Sequence, residues 1–247
     1  MEIIQKDRQS LFSILLPVYN NKEDILNAIS SVVEQTYKHW ELIIIDDCST
    51  DGTYELIYEF VNNNTYNIIL LRNDRNKGVY VSLNEGLLVA KGKYIARIDS
   101  DDMFDNTMLE KNVNVFNTEK CLIVQSKYKR DDKESEYGEI TLVYDKKIID
   151  EIGFYDSVRF AADSEFIERI IRYYGKDKIV RIDEVLYYAK NRINSLTTSD
   201  DTGFYKEGKV KRINYVKKYR EWHKLKYVYM KYPLIKRPFK VDPTMLP

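Results

Sequence analysis

The sequence predicts an α/β domain built on a mostly parallel sheet flanked by helices. Three observations carry that prediction. Short apolar runs recur through the first half, amphipathic stretches of helical period separate them, and 247 residues suffice for one sizeable domain with an appended C-terminal segment. FSILLP (Phe12 to Pro17), ELIIID (Glu41 to Asp46), IILL (Ile68 to Leu71), YIARID (Tyr94 to Asp99) and CLIVQ (Cys121 to Gln125) read as buried strands, being short, β-branched and bounded by polar turns. Between them, Ile25, Ile29, Val32 and Val33 share one helical face, and Leu56, Ile57, Phe60 and Val61 share another. A third helix is expected over Val79 to Ala90, after Asn76-Lys77-Gly78 and with Gly92 as its stop. Such alternation means crossover units between parallel strands.

After about residue 126 the pattern changes. The charged stretch Lys127 to Glu139 reads as an exposed loop, followed by a short strand over Ile140 to Tyr144 and a short helix from Lys146. A helix is expected over Asp163 to Tyr174, where Phe166, Ile167, Ile170 and Ile171 share a face, then two short strands at Ile179 to Ile182 and Val185 to Ala189. Residues 202–225 form a basic helical pattern before a proline-punctuated end.

Composition excludes several classes. With 44% hydrophobic and 32% charged residues the chain is an ordinary globular sequence, not a disordered one. Cys48 and Cys121 have no CxxC spacing, so neither a disulfide framework nor a zinc site is indicated and a reducing, cytoplasmic setting is expected. The opening MEIIQKDRQS is too polar for a signal peptide, and no apolar run approaches the roughly 18 residues of a membrane span, which predicts a soluble or peripheral protein. The 39 basic and 39 acidic residues balance, but unevenly: Lys206 to Lys240 holds 13 Lys and Arg against only Glu207 and Glu221.

Ligands of open parallel sheets bind beyond the carboxyl ends of the strands. Those positions read Pro17-Val18-Tyr19-Asn20, Asp46-Asp47-Cys48-Ser49-Thr50-Asp51 and Asp99-Ser100-Asp101-Asp102. Helix capping is an equally good account of Asn20, Ser49 and Asp51. It serves poorly for Asp99, Asp101 and Asp102, three carboxylates within four residues that repel one another at the end of a buried strand. A divalent cation is the simplest offset, and carboxylates suit Mg²⁺ or Mn²⁺ with phosphate oxygens filling the remaining positions; a solvated acidic turn is the alternative.

From about Phe12 to Thr197 the sequence resembles the family 2 glycosyltransferases, through FSILLPVYNN, QTYKHWELIIIDDCSTDGT, NKGVYVSLNEGLLVAKGKYIARIDSDD and RFAADSEFIERI in the family's order. The resemblance implies a GT-A-type, Rossmann-like nucleotide-sugar fold over residues 1–200, with the donor half to about residue 102, an acceptor half over 103–200, and a basic extension over 201–247. It implies an inverting transfer from a nucleotide sugar, in first place a UDP-sugar, to a hydroxyl of a glycan, a lipid-linked sugar or a protein, assisted by Mn²⁺ or Mg²⁺. Pro17, Val18 and Tyr19 would line the nucleoside pocket and Asp47 would accept from the base. Asp99 and Asp101 match the DxD motif around Ser100, one for the ribose or a metal-bound water and one for the metal, with Asp102 an alternative ligand. Lys77 and Gly78 fall where the family loop approaches the nucleotide. The ARN triplet often found beyond that loop reads Ser82-Leu83-Asn84 here, so no arginine is present for its contact.

Asp163 matches the family's catalytic acid residue and would accept the acceptor proton. Glu165 is the alternative base, and an N-cap is the bland reading of Asp163. Only His39 and His223 exist in the chain, and where relatives often carry a metal-binding histidine this one has Lys190 and Arg192, either of which could neutralise a diphosphate. Tyr54, Tyr58, Tyr173 and Tyr174 are read as packing residues. The basic tail has three readings: a helix packed on the acidic body, a peripheral contact with anionic lipid or a lipid-linked acceptor, and, least favoured, nucleic acid, so that no nucleic-acid partner is expected. A sugar-phosphate nucleotidyltransferase and a catalytically silent nucleotide-sugar binder are the competing functions. The first wants a glycine-rich basic loop that PVYNNKED lacks.

Overall fold

The computed structural model describes residues 10–191, 199–204, 206–224 and 246. Strands β1 (Phe12–Val18), β2 (Trp40–Asp46), β3 (Ile68–Arg72) and β4 (Tyr94–Arg97) alternate with helices α1 (Ile25–Val33), α2 (Thr53–Asn62) and α3 (Val79–Val89). A two-residue strand β5 (Met103–Phe104) and helix α4 (Met108–Thr118) lead to β6 (Ile123–Arg130), β7 (Lys133–Tyr137), β8 (Val143–Asp145) and α5 (Lys147–Ile152). Helix α6 (Ala162–Tyr174), strand β9 (Ile179–Ala189) and helix α7 (Lys206–Trp222) complete the order.

One sheet runs β3-β2-β1-β4-β8-β6-β9-β5, with β7 beside β6. Its first four strands are parallel; β1, β2 and β3 finish level, Val18 with Asp46 and Asp46 with Arg72, and β4 ends at Arg97 opposite Leu15. β8 joins antiparallel to β4 and β6, and β6 and β9 pair in parallel. The apolar residues of the strands divide into two cores, one on each face. Ile14, Leu16, Leu42 and Ile44 pack with α1 and α4, whereas Leu15, Ile43, Ile45 and Ile95 pack with α3, α5, α6 and the inner face of α7.

Two expectations are corrected. The charged stretch after residue 126 is not a loop: β6 continues to Arg130 and turns back as β7. Its charges suit an edge hairpin, where Lys127 pairs with Glu134 and Asp183, and a charged edge resists pairing with other chains. The two short strands expected at 179–189 are one, β9, which absorbs the polar Asp183-Glu184 through register shifts against Ser126, Lys127 and Tyr128. Helix α4 was not expected, since only Met108, Leu109, Asn112 and Val113 of its residues are buried.

Gly92 is not the stop of α3, which ends at Val89 with Ala90 extended beyond it; its role is a close approach to β1. A β-carbon there would lie 2.4 Å from the Ser13 amide nitrogen and 2.8 Å from the Leu11 carbonyl. Its own amide donates to Ser13 Oγ at 2.7 Å, beside the buried Glu41 that accepts from Ser13 Oγ at 2.6 Å. Gly92→Ala is therefore expected to lower unfolding stability by roughly 2–4 kcal/mol, measured by urea denaturation; a change within about 0.5 kcal/mol would contradict the close approach.

Candidate active site

Four loops converge where the parallel strands end, and asparagines tie them together. Asn20, in the left-handed region at φ 47°, donates its amide to Ser49 Oγ at 2.9 Å and accepts the Thr50 amide on Oδ1 at 2.8 Å. Asn21 donates its amide to Thr53 Oγ1 and its Nδ2 to Ser100 Oγ, both at 3.0 Å. Asn20 and Ser49 thus join loops and do not cap helices, while Asp51 accepts the Thr53 amide in the first turn of α2. Pro17 and Val18 are buried at the end of β1, and Tyr19 stands exposed beyond them.

The two aspartates after β2 have different surroundings. Asp46 is fully buried against the Ser49 amide and Arg72, and burial raises its pKa. Asp47 receives Asn73 Nδ2 at 2.7 Å and the Lys77 amide at 2.8 Å on Oδ1, and the Gly78 amide at 2.7 Å on Oδ2. It holds the 76–78 loop in place, with one acceptor position left on Oδ2. Gly78 sits at φ 86°, a conformation that favours glycine, and Arg159 donates to Asn76 Oδ1 at 2.8 Å from the far side. The Ser82-Leu83-Asn84 triplet has turned inward: Ser82 Oγ accepts from Asn73 at 3.0 Å, and Asn84 clasps the backbone of Tyr155.

The acidic turn is braced from two sides. Arg97 donates Nε and Nη2 to Asp99 Oδ1 at 2.8 and 2.7 Å. Burial opposes the Arg97 charge, but Asp99, Tyr80 and Asp163 outweigh it and hold the guanidinium protonated. On the other side the Tyr187 hydroxyl accepts the Asp99 amide at 3.1 Å and donates to Asp102 Oδ2 at 2.7 Å, while the Lys190 amide donates to Asp102 Oδ1 at 2.9 Å. Both Asp102 oxygens therefore accept a protein hydrogen bond. Burial, followed by the charges of Asp99 and Asp101, pushes its carboxyl up to about 8. Ser100 is buried on Asn21, and Asp101 is half-buried.

Asp163 lies in the first turn of α6, after Ala161 at φ 70°, a left-handed conformation that costs a residue with a β-carbon about 1 kcal/mol or more. Its Oδ1 accepts the Ser164 amide at 2.9 Å, and it hydrogen-bonds the Tyr80 hydroxyl, whose pKa burial and the Asp163 charge raise well above the ordinary value. Glu165, the other candidate base, is fully buried between Arg169 at 3.0 Å and His223 at 2.7 Å, with no access to a substrate. His223 is thus a core residue, and His39, whose carbonyl accepts from Phe12 at the opposite end of the sheet, is exposed; neither reaches the acidic turn. Lys190 Nζ pairs with Asp24 at 2.8 Å, and Arg192 lies outside the described residues.

Sequence reasoning missed Arg97, Tyr80 and Tyr187. Arg97 had a readable signal, a lone cation in the otherwise apolar strand YIARID.

A parallel sheet whose strand ends carry a braced DSDD turn is the GT-A architecture of nucleotide-sugar transferases, and solved structures agree. S. aureus TarS 1-349 in complex with UDP-GlcNAc superposes with a TM-score of 0.65 at 21% identity, over 74% of this chain and 59% of that one. The mannosyltransferase PcManGT from Pyrobaculum calidifontis, in complex with GDP-Man and Mn²⁺, gives 0.60 at 17% identity, over 72% and 56%. Residues 13–179 match the profile of Glycosyl transferase family 2, and the chain belongs to that family. It is 38% identical over 118 residues to UDP-Glc:alpha-D-GlcNAc-diphosphoundecaprenol beta-1,3-glucosyltransferase WfaP of Escherichia coli, covering 48% of this chain and 46% of that protein. Against four curated relatives the chain spans less than half their length, 36% to 46%. No helix among the described residues is long and apolar enough to cross a membrane.

Proposed function

We propose that the chain is an inverting glycosyltransferase that moves a sugar from a UDP-sugar to an acceptor hydroxyl, with Asp163 as general base. The observation that carries the reading is the meeting of an Asp47-held loop and a braced acidic turn at one sheet edge, linked through Arg97 and Tyr80 to the half-buried Asp163. Pro17, Val18, Tyr19, Asp47, Lys77 and Gly78 would enclose the nucleoside, with Asp99 and Ser100 beneath the ribose. The UDP-GlcNAc bound to TarS and the UDP-Glc in the name of WfaP support a uridine donor.

The chemistry is one in-line displacement. The acceptor oxygen attacks the anomeric carbon, the bond from that carbon to the diphosphate breaks on the opposite face, and the acceptor proton passes to Asp163. Asp163 stands in the first turn of α6, the end of a helix at which negative charge is favoured.

A divalent metal fits the acidic turn. Among the described residues no three His, Cys, Asp or Glu side chains form a ready cage, but Mg²⁺ or Mn²⁺ bound with a nucleotide takes only one or two carboxylates and completes its shell with phosphate and water. Burial and then the charges of Asp99 and Asp101 raise the Asp102 carboxyl, and a cation would offset the like-charge part of that cost. Asp101 is the principal ligand in this reading, with Asp99 and Asp102 adjoining it, and the ion would stabilise the departing diphosphate together with Arg192.

Residues 1–102 serve the donor and 103–200 the acceptor, a glycan, lipid-linked sugar or protein hydroxyl; the diphosphoundecaprenol acceptor in the name of WfaP favours the lipid-linked class. The solvent face of α7, with Lys206, Lys209, Val210, Ile213 and Lys217 exposed, suits a peripheral contact with an anionic membrane on its cytoplasmic side.

The test is nucleotide release from UDP-, GDP- and dTDP-sugars with Mn²⁺, Mg²⁺ or EDTA, alongside Asp101→Ala. Release from a UDP-sugar that needs metal and falls at least a hundredfold in Asp101→Ala is expected. Tight UDP binding with no release from any donor, with or without lipid-linked and glycan acceptors, would favour a binding protein instead.

A further inference from the structure

Beside α1 the chain forms a cleft of about 320 Å³, the size of a small-molecule site, which shares no residue with the acidic turn or the Asp47-held loop. One wall is a face of α1, where Asn27, Ser30 and Glu34 are spaced three and four residues apart. The other is the β5–β9 pair. Met103 and Tyr188 stand directly opposite each other across it, so both side chains leave the sheet on one face, and they are 45% and 37% exposed. The walls are fixed without an occupant. Ser31 Oγ donates to the Ala28 carbonyl at 2.8 Å and accepts the Phe104 amide at 3.2 Å, joining α1 to β5. The fully buried Gln35 donates Nε2 to the Asp105 carbonyl at 2.6 Å and accepts the Leu109 amide on Oε1 at 3.0 Å. The polar groups that face the cleft are, by contrast, uncommitted: among the described residues the side chains of Asn27, Ser30, Glu34 and Asn106 and the Tyr188 hydroxyl make no hydrogen bond or ion pair within the protein. No Lys, Arg or His lines the cleft, and its other carboxylate, Asp105, accepts from Thr107.

We propose that this cleft is a second, non-catalytic site that binds neutral saccharide and so holds a sugar chain beside the acidic turn. A sugar ring presents C–H groups on its faces and hydroxyls around its rim. The Tyr188 ring and the Met103 side chain offer the apolar surface that the faces need, and Asn27, Ser30, Glu34 and Asn106 supply both donors and acceptors for the rim. A phosphate, a nucleotide or an anionic lipid finds no cation there, and a purely apolar ligand would leave the α1 wall desolvated and unpaired. Because Ser31 and Gln35 already fix the walls, an occupant binds without first ordering them. The location gives the site its use. Met103 and Tyr188 directly follow Asp102 and Tyr187, which are hydrogen-bonded at 2.7 Å, so a chain in the cleft lies next to the acidic turn and its local concentration there is raised. The inference goes beyond the transferase reading and needs neither Asp163 as base nor a particular donor.

The experiment applies the fluorescently labelled full chain to an array of neutral, sialylated and sulfated oligosaccharides. Calorimetry then measures the affinity of the best-retained neutral oligosaccharide in the parent, Tyr188→Ala and Asn27→Trp, with UDP affinity on the same preparations. Both substitutions fall at exposed positions, the first removing the ring and the second filling the cleft from the α1 side. Neutral oligosaccharides should be retained in preference to the anionic ones, and each variant should weaken the best of them by about tenfold or more, the loss of a stacked ring and its hydroxyl, while UDP affinity stays within about twofold. Retention of no neutral oligosaccharide would overturn the proposal, as would a preference for the anionic ones or an affinity that either variant leaves unmoved. A saccharide affinity that falls together with UDP affinity would overturn it too, because the sugar would then occupy the donor site. No arm depends on turnover, so a chain that releases nucleotide from no donor would sink the transferase reading and leave this result standing.

Discussion

Asp163→Asn is expected to lower turnover by about 10²–10⁴-fold while leaving UDP affinity within roughly twofold. Asparagine preserves the shape of the side chain, its Oδ1 can still accept the Ser164 amide, and only the capacity to take the acceptor proton is lost. The donor loops are held by other groups, Asp47 on the 76–78 loop and Arg97 with Tyr187 on the acidic turn, and an asparagine can still accept from the Tyr80 hydroxyl. Steady-state turnover with the best donor and calorimetric UDP binding on the same preparation check it. Comparable losses in both would mean that Asp163 organises the donor site, and unchanged turnover would mean that another group takes the proton. Glu165 is not that group, since reaching a substrate would require breaking contacts to both Arg169 and His223.

The donor half was readable because its signals are local. The apolar runs Phe12 to Pro17 and Glu41 to Asp46 became β1 and β2 to within a residue, and the polar clusters after them fell at one sheet edge, as crossover topology requires. What could not be read depends on residues distant in the chain. Nothing near Asp102 announces that Tyr187 and Lys190, more than eighty residues on, will occupy both its oxygens. Asp47 looked like a base contact and also proves to be the anchor of a loop thirty residues away. The charged 127–139 stretch was misread because an edge strand needs only one apolar face, and its alternation is masked when lysines and glutamates pair across the hairpin. His223 illustrates the limit most sharply. In the sequence it is one polar residue in a basic tail, and only the packing of α7 on α6 makes it the partner of a buried carboxylate.

That buried cluster carries the second large expected effect. Glu165→Ala should destabilise the fold by about 3–5 kcal/mol, against a total of about 5–15 kcal/mol for a domain of ordinary stability. Glu165, Arg169 and His223 are 0%, 1% and 4% exposed, and Arg169 also donates to the Ile152 carbonyl at 2.6 Å and to the Phe154 carbonyl at 2.7 Å. Removing the carboxylate leaves a guanidinium in the core with only neutral acceptors, and it takes away one tie between α7 and α6, leaving those of Tyr219 and Arg220 to Glu168. His223→Ala removes one neutral or cationic partner but leaves the Glu165–Arg169 pair intact, so its cost should be smaller, about 1–3 kcal/mol. Urea unfolding followed by far-UV circular dichroism measures both, and a double variant reports their coupling. A loss below about 1 kcal/mol for Glu165→Ala would mean that water enters the cluster and solvates Arg169. The same contacts explain why deleting residues 206–247 would be a poor probe of acceptor binding: Tyr215, Tyr219 and Trp222 belong to the core beneath α6, and the helix that carries them also holds His223 against Glu165. Losing the extension therefore exposes the first turn of α6, where Asp163 sits, so a fall in activity after truncation would reflect lost packing before it reflected a lost acceptor.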